Sequence, residues 1–177
     1  MSSSVVKNSA EKYQDFLAAY KGNPMQCPKI TKVCLTISLG ALDKKEVAKI
    51  QEDLTNLAGQ KALVTLAKKS VASFKLREGM AVGASVTLRK KKIYEFMDRL
   101  VYIALPRVRD FKGLKASSVD KTLNYSFGLR DSTVFPEVSY NTSLSKQVGI
   151  GISFSIENAK NKDEVVQLLK TFDLPVF

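Results

Sequence analysis

The stretch GQKALVTLAKKSVASFKLREGMAVGASVTLRKKK, residues 59–92, holds two strand-like runs, about Ala62 to Lys69 and Val82 to Lys90. They are joined by the loop SVASFKLREGMA, Ser70 to Ala81. The second run alternates cleanly, with Ala84, Val86 and Leu88 against Ser85, Thr87 and Arg89. That period of two describes a strand with one buried and one wet face, and the loop before it is long for a hairpin connection. The period then changes. Ile93, Phe96, Met97, Leu100 and Ala104 recur at helical spacing over Ile93 to Leu105, with Pro106 as a stop.

The same signals extend outward. A helix from about Ser9 to Tyr20 carries Tyr13, Phe16, Leu17 and Tyr20 on one stripe, with Asn8 and Glu11 at capping-box spacing. A strand over Lys29–Ser38 turns Val33, Leu35 and Ile37 one way and Lys32, Cys34, Thr36 and Ser38 the other. A second helix follows Asp43, with Glu46 completing a cap, Val47, Ile50, Leu54 and Leu57 facing the core, and Gly59 ending it. Strand-like pieces occur near Leu123–Leu129 and Glu137–Tyr140, and Val148–Ile156 alternates aliphatic and aromatic residues with Gly and Ser. Asn161 and Glu164 are spaced to cap a last helix with Val165, Leu168, Leu169 and Phe172 inward. Helices among hairpin-type strands predict an α+β fold: one antiparallel sheet, helices on one face, the other face open and polar. No linker or repeat divides the chain, so residues 1–177 are expected to form one domain, with 1–8 a flexible extension.

The 177 residues are 45% hydrophobic and 25% charged, ordinary proportions for a globular chain. No apolar run is long enough to span a membrane, and MSSSVVKNSA lacks both a secretory apolar stretch and transit-peptide arginines. The chain has no His, which excludes Ser-His-Asp and Cys-His catalysis, the helical zinc-protease motif and two-Cys-two-His zinc sites. Cys27 and Cys34 make no CxxC pair, and Cys34, mid-strand, is expected to be a buried small hydrophobe. The carboxylates do not cluster, and the Gly-Ile-Gly at 149–151 is an incomplete dinucleotide fingerprint inside a strand. No metal, no cofactor and no enzymatic activity are expected.

Charge supplies the positive signal. Lys and Arg total 28 against 17 Asp and Glu, a net of +11. From Lys61 to Lys115 only Glu78, Glu95, Asp98 and Asp110 oppose the cations, so most of the excess lies in that third of the chain. A concentrated positive field suits a polyanion, the alternative being a solubilising face. Thr, Ser, Cys and Gly on the outward face of several strands let an RNA backbone approach closely, although Thr and Ser also suit any wet strand. In the loop, Phe74 beside Lys75 and Arg77 can stack on a base while the cations hold phosphate, unless Phe74 folds inward as an anchor. Arg89-Lys90-Lys91-Lys92 runs into a helix start, where each cation opposes the helix dipole by roughly 0.3–1 kcal/mol. Arg107, Arg109 and Lys112 form a second cationic turn, with Asp110 as the expected local partner.

Four segments resemble one family: the stretch GQKALVTLAKKSVASFKLREGMAVGASVTLR from Gly59, YEFMDRLVYIALPRVRDFKGL from Tyr94, NYSFGLRDSTVFPE from Asn124 and the ending LLKTFDLPVF. From about Pro24 to its end the chain resembles the bacterial-type family of large-subunit ribosomal protein five. The resemblance implies a non-enzymatic protein of the ribosome's central protuberance that binds 5S rRNA through the open sheet face and touches large-subunit rRNA. It implies contact with P-site tRNA through the long loop, with a small-subunit head protein across an intersubunit bridge, and with neighbouring central-protuberance proteins. Thr36, Gln60, Thr65, Thr87 and Arg89 match the 5S face, and Ser73, Phe74, Lys75, Leu76 and Arg77 match the tRNA loop. Lys68, Lys69, Lys90, Lys91, Lys92, Arg107 and Arg109 are further phosphate-contact candidates. The implied location is a ribosome in a bacterial cytoplasm or a mitochondrial matrix, with no membrane partner. Departures from the family pattern are Thr36 in place of Asn, Ser38 in place of Gly, Leu66 in place of a basic residue, and Asp120–Asn124 reading DKTLN rather than DGRGN. They bear on whether a conventional 5S rRNA is the partner. A free-standing RNA-binding regulator is the alternative reading.

Overall fold

The structure, a computed structural model, describes residues 8–20, 22–38, 40, 44–138 and 148–177. Most of the expected N-terminal extension, the Asp43 cap and Tyr140 lie outside the described residues. Five strands form: β1 (Lys29–Ser38), β2 (Leu63–Leu66), β3 (Ala81–Leu88), β4 (Tyr125–Leu129) and β5 (Ile150–Glu157). They form one antiparallel sheet in the order β2-β3-β1-β5-β4. With the helices α1 (Ser9–Ala19), α2 (Lys44–Ala58), α3 (Lys91–Arg99), α4 (Leu105–Arg107) and α5 (Lys162–Thr171), the fold is α+β, as expected. The residues group into two compact units, one of 1–32, 89–125 and 154–177, the other of 33–88 and 126–153.

In the second unit, β1 and β3 pair antiparallel with Val33 opposite Leu88 and Ser38 opposite Gly83. Val33, Leu35, Ile37, Ala84, Val86 and Leu88 are all buried. Helix α2 lies against β3 and β2 and buries Val47, Ile50, Leu54 and Leu57, the face its spacing predicts. Gly59 then turns the chain at a φ of 63°. Strand β2 is shorter than expected because its register shifts between Thr65, opposite Gly83, and Leu66, opposite Ala81. Such a bulge bends the strand and ends regular pairing. Gly83 is fixed by space: a Cβ there would lie 2.1 Å from the Ile37 carbonyl oxygen.

In the first unit, α1 packs against α3 and α5. Tyr13 and Phe172 stack with centroids 6.3 Å apart, and Tyr94 lies 6.2 Å from each of them. Neither helix start forms the expected reciprocal cap. Asn8 occupies the N-cap of α1 without a side-chain bond, and the free N–H of Ser9 donates instead to Asp98 Oδ1 at 2.9 Å. Asn161 likewise makes no cap bond, and Glu164 Oε2 accepts from the Lys160 N–H, one residue further out. A carboxylate near a helix start satisfies whichever N–H geometry brings within reach. Lys12 joins this packing by hydrogen-bonding both Tyr102 and Asp173.

Pro106 does not stop the third helix. The helical course widens into a π turn over Leu100–Ala104, where the Leu105 N–H donates to the Leu100 carbonyl, and regular helix resumes at Leu105–Arg107. Proline removes one N–H and crowds the carbonyl a turn earlier, and a wider turn upstream relieves both. Glu137–Val138 form a turn rather than a strand, held by Val138 N–H to the Phe135 carbonyl at 3.2 Å. Of the cysteines, Cys27 is the buried one, its thiol pushed up by desolvation, whereas Cys34 is half-exposed on the outward row of β1. Leu123 turns at a φ of 62°, a conformation that suits glycine far better than leucine.

Two stability measurements follow from this packing. Gly83→Ala forces β1 and β3 apart and is expected to cost about 1–3 kcal/mol, read as a lower urea midpoint at unchanged slope. Burial, reinforced by Cys27 and Tyr94, raises the Tyr13 phenol to about 12 from an ordinary 10.0. Folding therefore favours the protonated phenol, so that contribution is complete below pH 10 and is lost as pH rises towards 12. Thermal melts between pH 8 and 11.5 are expected to show Tyr13→Phe losing less melting temperature over that range than the parent.

Candidate nucleic-acid interface

The pleat that buries Val33, Leu35 and Ile37 turns Cys34, Thr36 and Ser38 to the opposite face. Register then builds rows across the strands. Cys34 stands opposite Thr87, Thr36 opposite Ser85, and Ser38 opposite Gly83. Continuing to β2, Leu63 stands opposite Ser85 and Thr65 opposite Gly83. Ser126 and Gly128 of β4 and Gly151 and Ser153 of β5 are partly or fully exposed, with the two serine hydroxyls 3.1 Å apart. The strand residues of this unit include no Asp, Glu, Lys or Arg. A solvated sheet ordinarily carries such residues outward, and their omission leaves a low surface of hydroxyl, thiol and glycine positions. Leu63 and Leu66 are the exceptions, 71% and 59% exposed on the edge strand.

Four of the five sheet residues singled out in the sequence share this unit: Thr36, Gln60, Thr65 and Thr87. Gln60, just beyond the Gly59 turn, donates from Nε2 to the Thr87 carbonyl at 3.0 Å and so sits beside that row. Thr36 and Thr87 are exposed, and Thr65 is half-exposed. The Cys34 sulfur lies 3.8 Å from the Thr36 hydroxyl. Arg89 directly follows β3 and belongs to the other unit. There Lys90 takes the N-cap of α3 at a φ of 56°, Lys91 and Lys92 follow, and no acidic residue offsets them in the first turn.

The loop at 70–81, expected to lack structure of its own, is a small hairpin. Val71 and Leu76 exchange both backbone hydrogen bonds, at 3.0 and 3.1 Å. A single 3-10 turn spans Ala72–Phe74, and Lys75 closes it in the left-handed region at a φ of 54°. The Ser70 hydroxyl accepts from the Glu78 N–H at 3.0 Å, and Gly79 N–H reaches the Ala67 carbonyl. Ser73, Phe74, Lys75 and Arg77 are exposed at its end, and Leu76 is half-buried. Phe74, 72% exposed, is therefore a presented aromatic and not a core anchor. Lys68 and Lys69 are exposed just before the hairpin.

Arg107 closes α4, where a cation complements the dipole, and Arg109 is exposed two residues on. Asp110 turns at a φ of 52° and, contrary to expectation, makes no ion pair with Arg107, Arg109 or Lys112. The contribution of β4 and β5 to the small-residue face was not singled out from sequence. The Gly and Ser alternation of 148–156 carried that signal, but only the sheet order sets β5 beside β1. Among the described residues no cluster of His, Cys, Asp and Glu is suited to hold a metal ion, and no helix is long and apolar enough to cross a membrane.

Comparison with known proteins agrees with this architecture. Residues 23–77 match the family model described as ribosomal protein L5, and residues 81–176 match the separate model for the C-terminus of that ribosomal family. The large ribosomal subunit protein uL5 of Desulfotalea psychrophila is 47% identical over 155 residues, covering 86% of each chain. Matches of that length and identity, over a fold with an uncovered strand face and basic flanks, fix the assignment: the chain belongs to the uL5 family of ribosomal proteins, structural and non-catalytic constituents of the large subunit.

Proposed function

We propose that this chain binds 5S rRNA through the uncovered face of its sheet, with Thr36, Gln60, Thr65 and Thr87 on that face and Arg89 at the end of β3. The observation that carries this reading is that the strand residues of the 33–88 and 126–153 unit turn no charged side chain to solvent, in a chain whose net charge is +11. Short hydroxyl side chains let sugar and phosphate approach the strands and hydrogen-bond there. Lys68, Lys69, Lys90, Lys91, Lys92, Arg107 and Arg109 contact phosphates of 5S or large-subunit rRNA. The hairpin end from Ser73 to Arg77 reaches P-site tRNA, with Phe74 as the stacking group. In this reading the whole chain acts as one domain of the central protuberance, beside neighbouring proteins there, and meets a small-subunit head protein across an intersubunit bridge. The ribosome is that of a bacterial cytoplasm or a mitochondrial matrix.

The sheet assignment is tested at Thr87. Its side chain is exposed, and the bond from Gln60 reaches its backbone carbonyl, so Thr87→Val keeps both the shape and that bond. Loss of a hydroxyl contact is expected to cost about 1 kcal/mol, roughly fivefold in 5S rRNA affinity, at unchanged melting temperature. Unchanged affinity would remove Thr87 from the interface.

The hairpin assignment is tested by Phe74→Ala combined with Lys75→Ala and Arg77→Ala. All three side chains are exposed, so each substitution is expected to change stability by less than about 0.5 kcal/mol. The triple variant is expected to bind 5S rRNA and enter large subunits normally while ribosomes carrying it hold P-site tRNA less tightly. Filter binding of tRNA to purified variant ribosomes, beside subunit incorporation, separates these outcomes. Failure of incorporation would make the hairpin an assembly contact.

A further inference from the structure

Phe177 is 81% exposed, yet the structure holds it in one place. Its N–H donates to the Leu114 carbonyl at 2.9 Å, and its main-chain oxygen accepts from the Ala116 N–H at 2.8 Å. Val176 pairs in parallel with Leu114, and both are buried. Extended alternation then turns the next side chain, Phe177, outward. The ring lies over Gly113, where a Cβ would come within 2.4 Å of it. Around Gly113 the chain exposes Arg107, Arg109, Lys112 and Lys115. None of these four forms an ion pair with a described carboxylate.

An exposed aromatic ring held over Gly113, in a stretch whose four exposed cations make no ion pair among the described residues, has the chemistry of a stacking site. It suits a nucleotide, whose base stacks on the ring while its phosphates meet the cations. We propose that Phe177 is a stacking platform for an unpaired nucleotide of the large-subunit rRNA, with Arg109 and Lys112 on the flanking phosphates. The platform lies in the unit that holds 89–125 and 154–177, outside the strand rows proposed for 5S rRNA.

The test titrates the full chain and its Phe177→Tyr, Phe177→Leu and Phe177→Ala variants with a protein-free transcript of the large-subunit rRNA, and separately with 5S rRNA. Stacking predicts that Tyr retains affinity for the large transcript while Leu and Ala each weaken it roughly five- to 150-fold. Affinity for 5S rRNA stays unchanged in all three. If Leu retains affinity and Ala loses it, the contact is apolar rather than stacking and the proposal falls. Equal affinity in all variants, or a lowered melting temperature that accounts for the loss, also overturns it. The Thr87→Val measurement with 5S rRNA varies independently, so failure there leaves this result intact.

Discussion

The approach of β3 to β1 at Gly83 is the constraint on which the uncharged strand face depends. With no side chain at that position, the strand pair closes onto the Ile37 carbonyl and holds six consecutive residue pairs in register. A slip of one residue would exchange the two faces, exposing Val33, Leu35 and Ile37 and burying Cys34, Thr36 and Ser38. One backbone contact thus separates an apolar layer, against which α2 packs, from a polar layer without charge.

Much of this was legible in the sequence because period is a local property. Strand β1 spans the expected Lys29–Ser38, and the core faces of α2 and α5 are those that spacing assigns. What was not legible depends on partners distant in the chain. Ser9 is capped by Asp98, which no local motif announces. The π turn at Leu100–Ala104 is a response to Pro106 that a proline-stop rule does not contain. The hairpin inside the 70–81 loop rests on backbone exchange between Val71 and Leu76, residues with no turn signature of their own.

The candidate interface divides similarly. Residue types identified the hydroxyl row of β3 and the exposed basic runs, since alternation and charge are both read directly. Sheet order added the serines and glycines of β4 and β5, and with them two of the five strands of the face. The fixed position of Phe177 was invisible from sequence, because it needs the pairing of Val176 with Leu114 across a long separation.

Separating the cations from the strand surface has a kinetic consequence. In the proposed complex, long-range attraction by Lys68, Lys69, Lys75 and Arg77 would act before contact and be screened by salt, and so would govern how fast RNA arrives. In that complex the uncharged strand rows act only at contact, through short hydrogen bonds that salt barely screens, so there they would govern how long RNA stays. On that reading ionic strength and the hydroxyl groups act on different rate constants of the same encounter, and a chain so built would gather RNA rapidly without holding every RNA it meets.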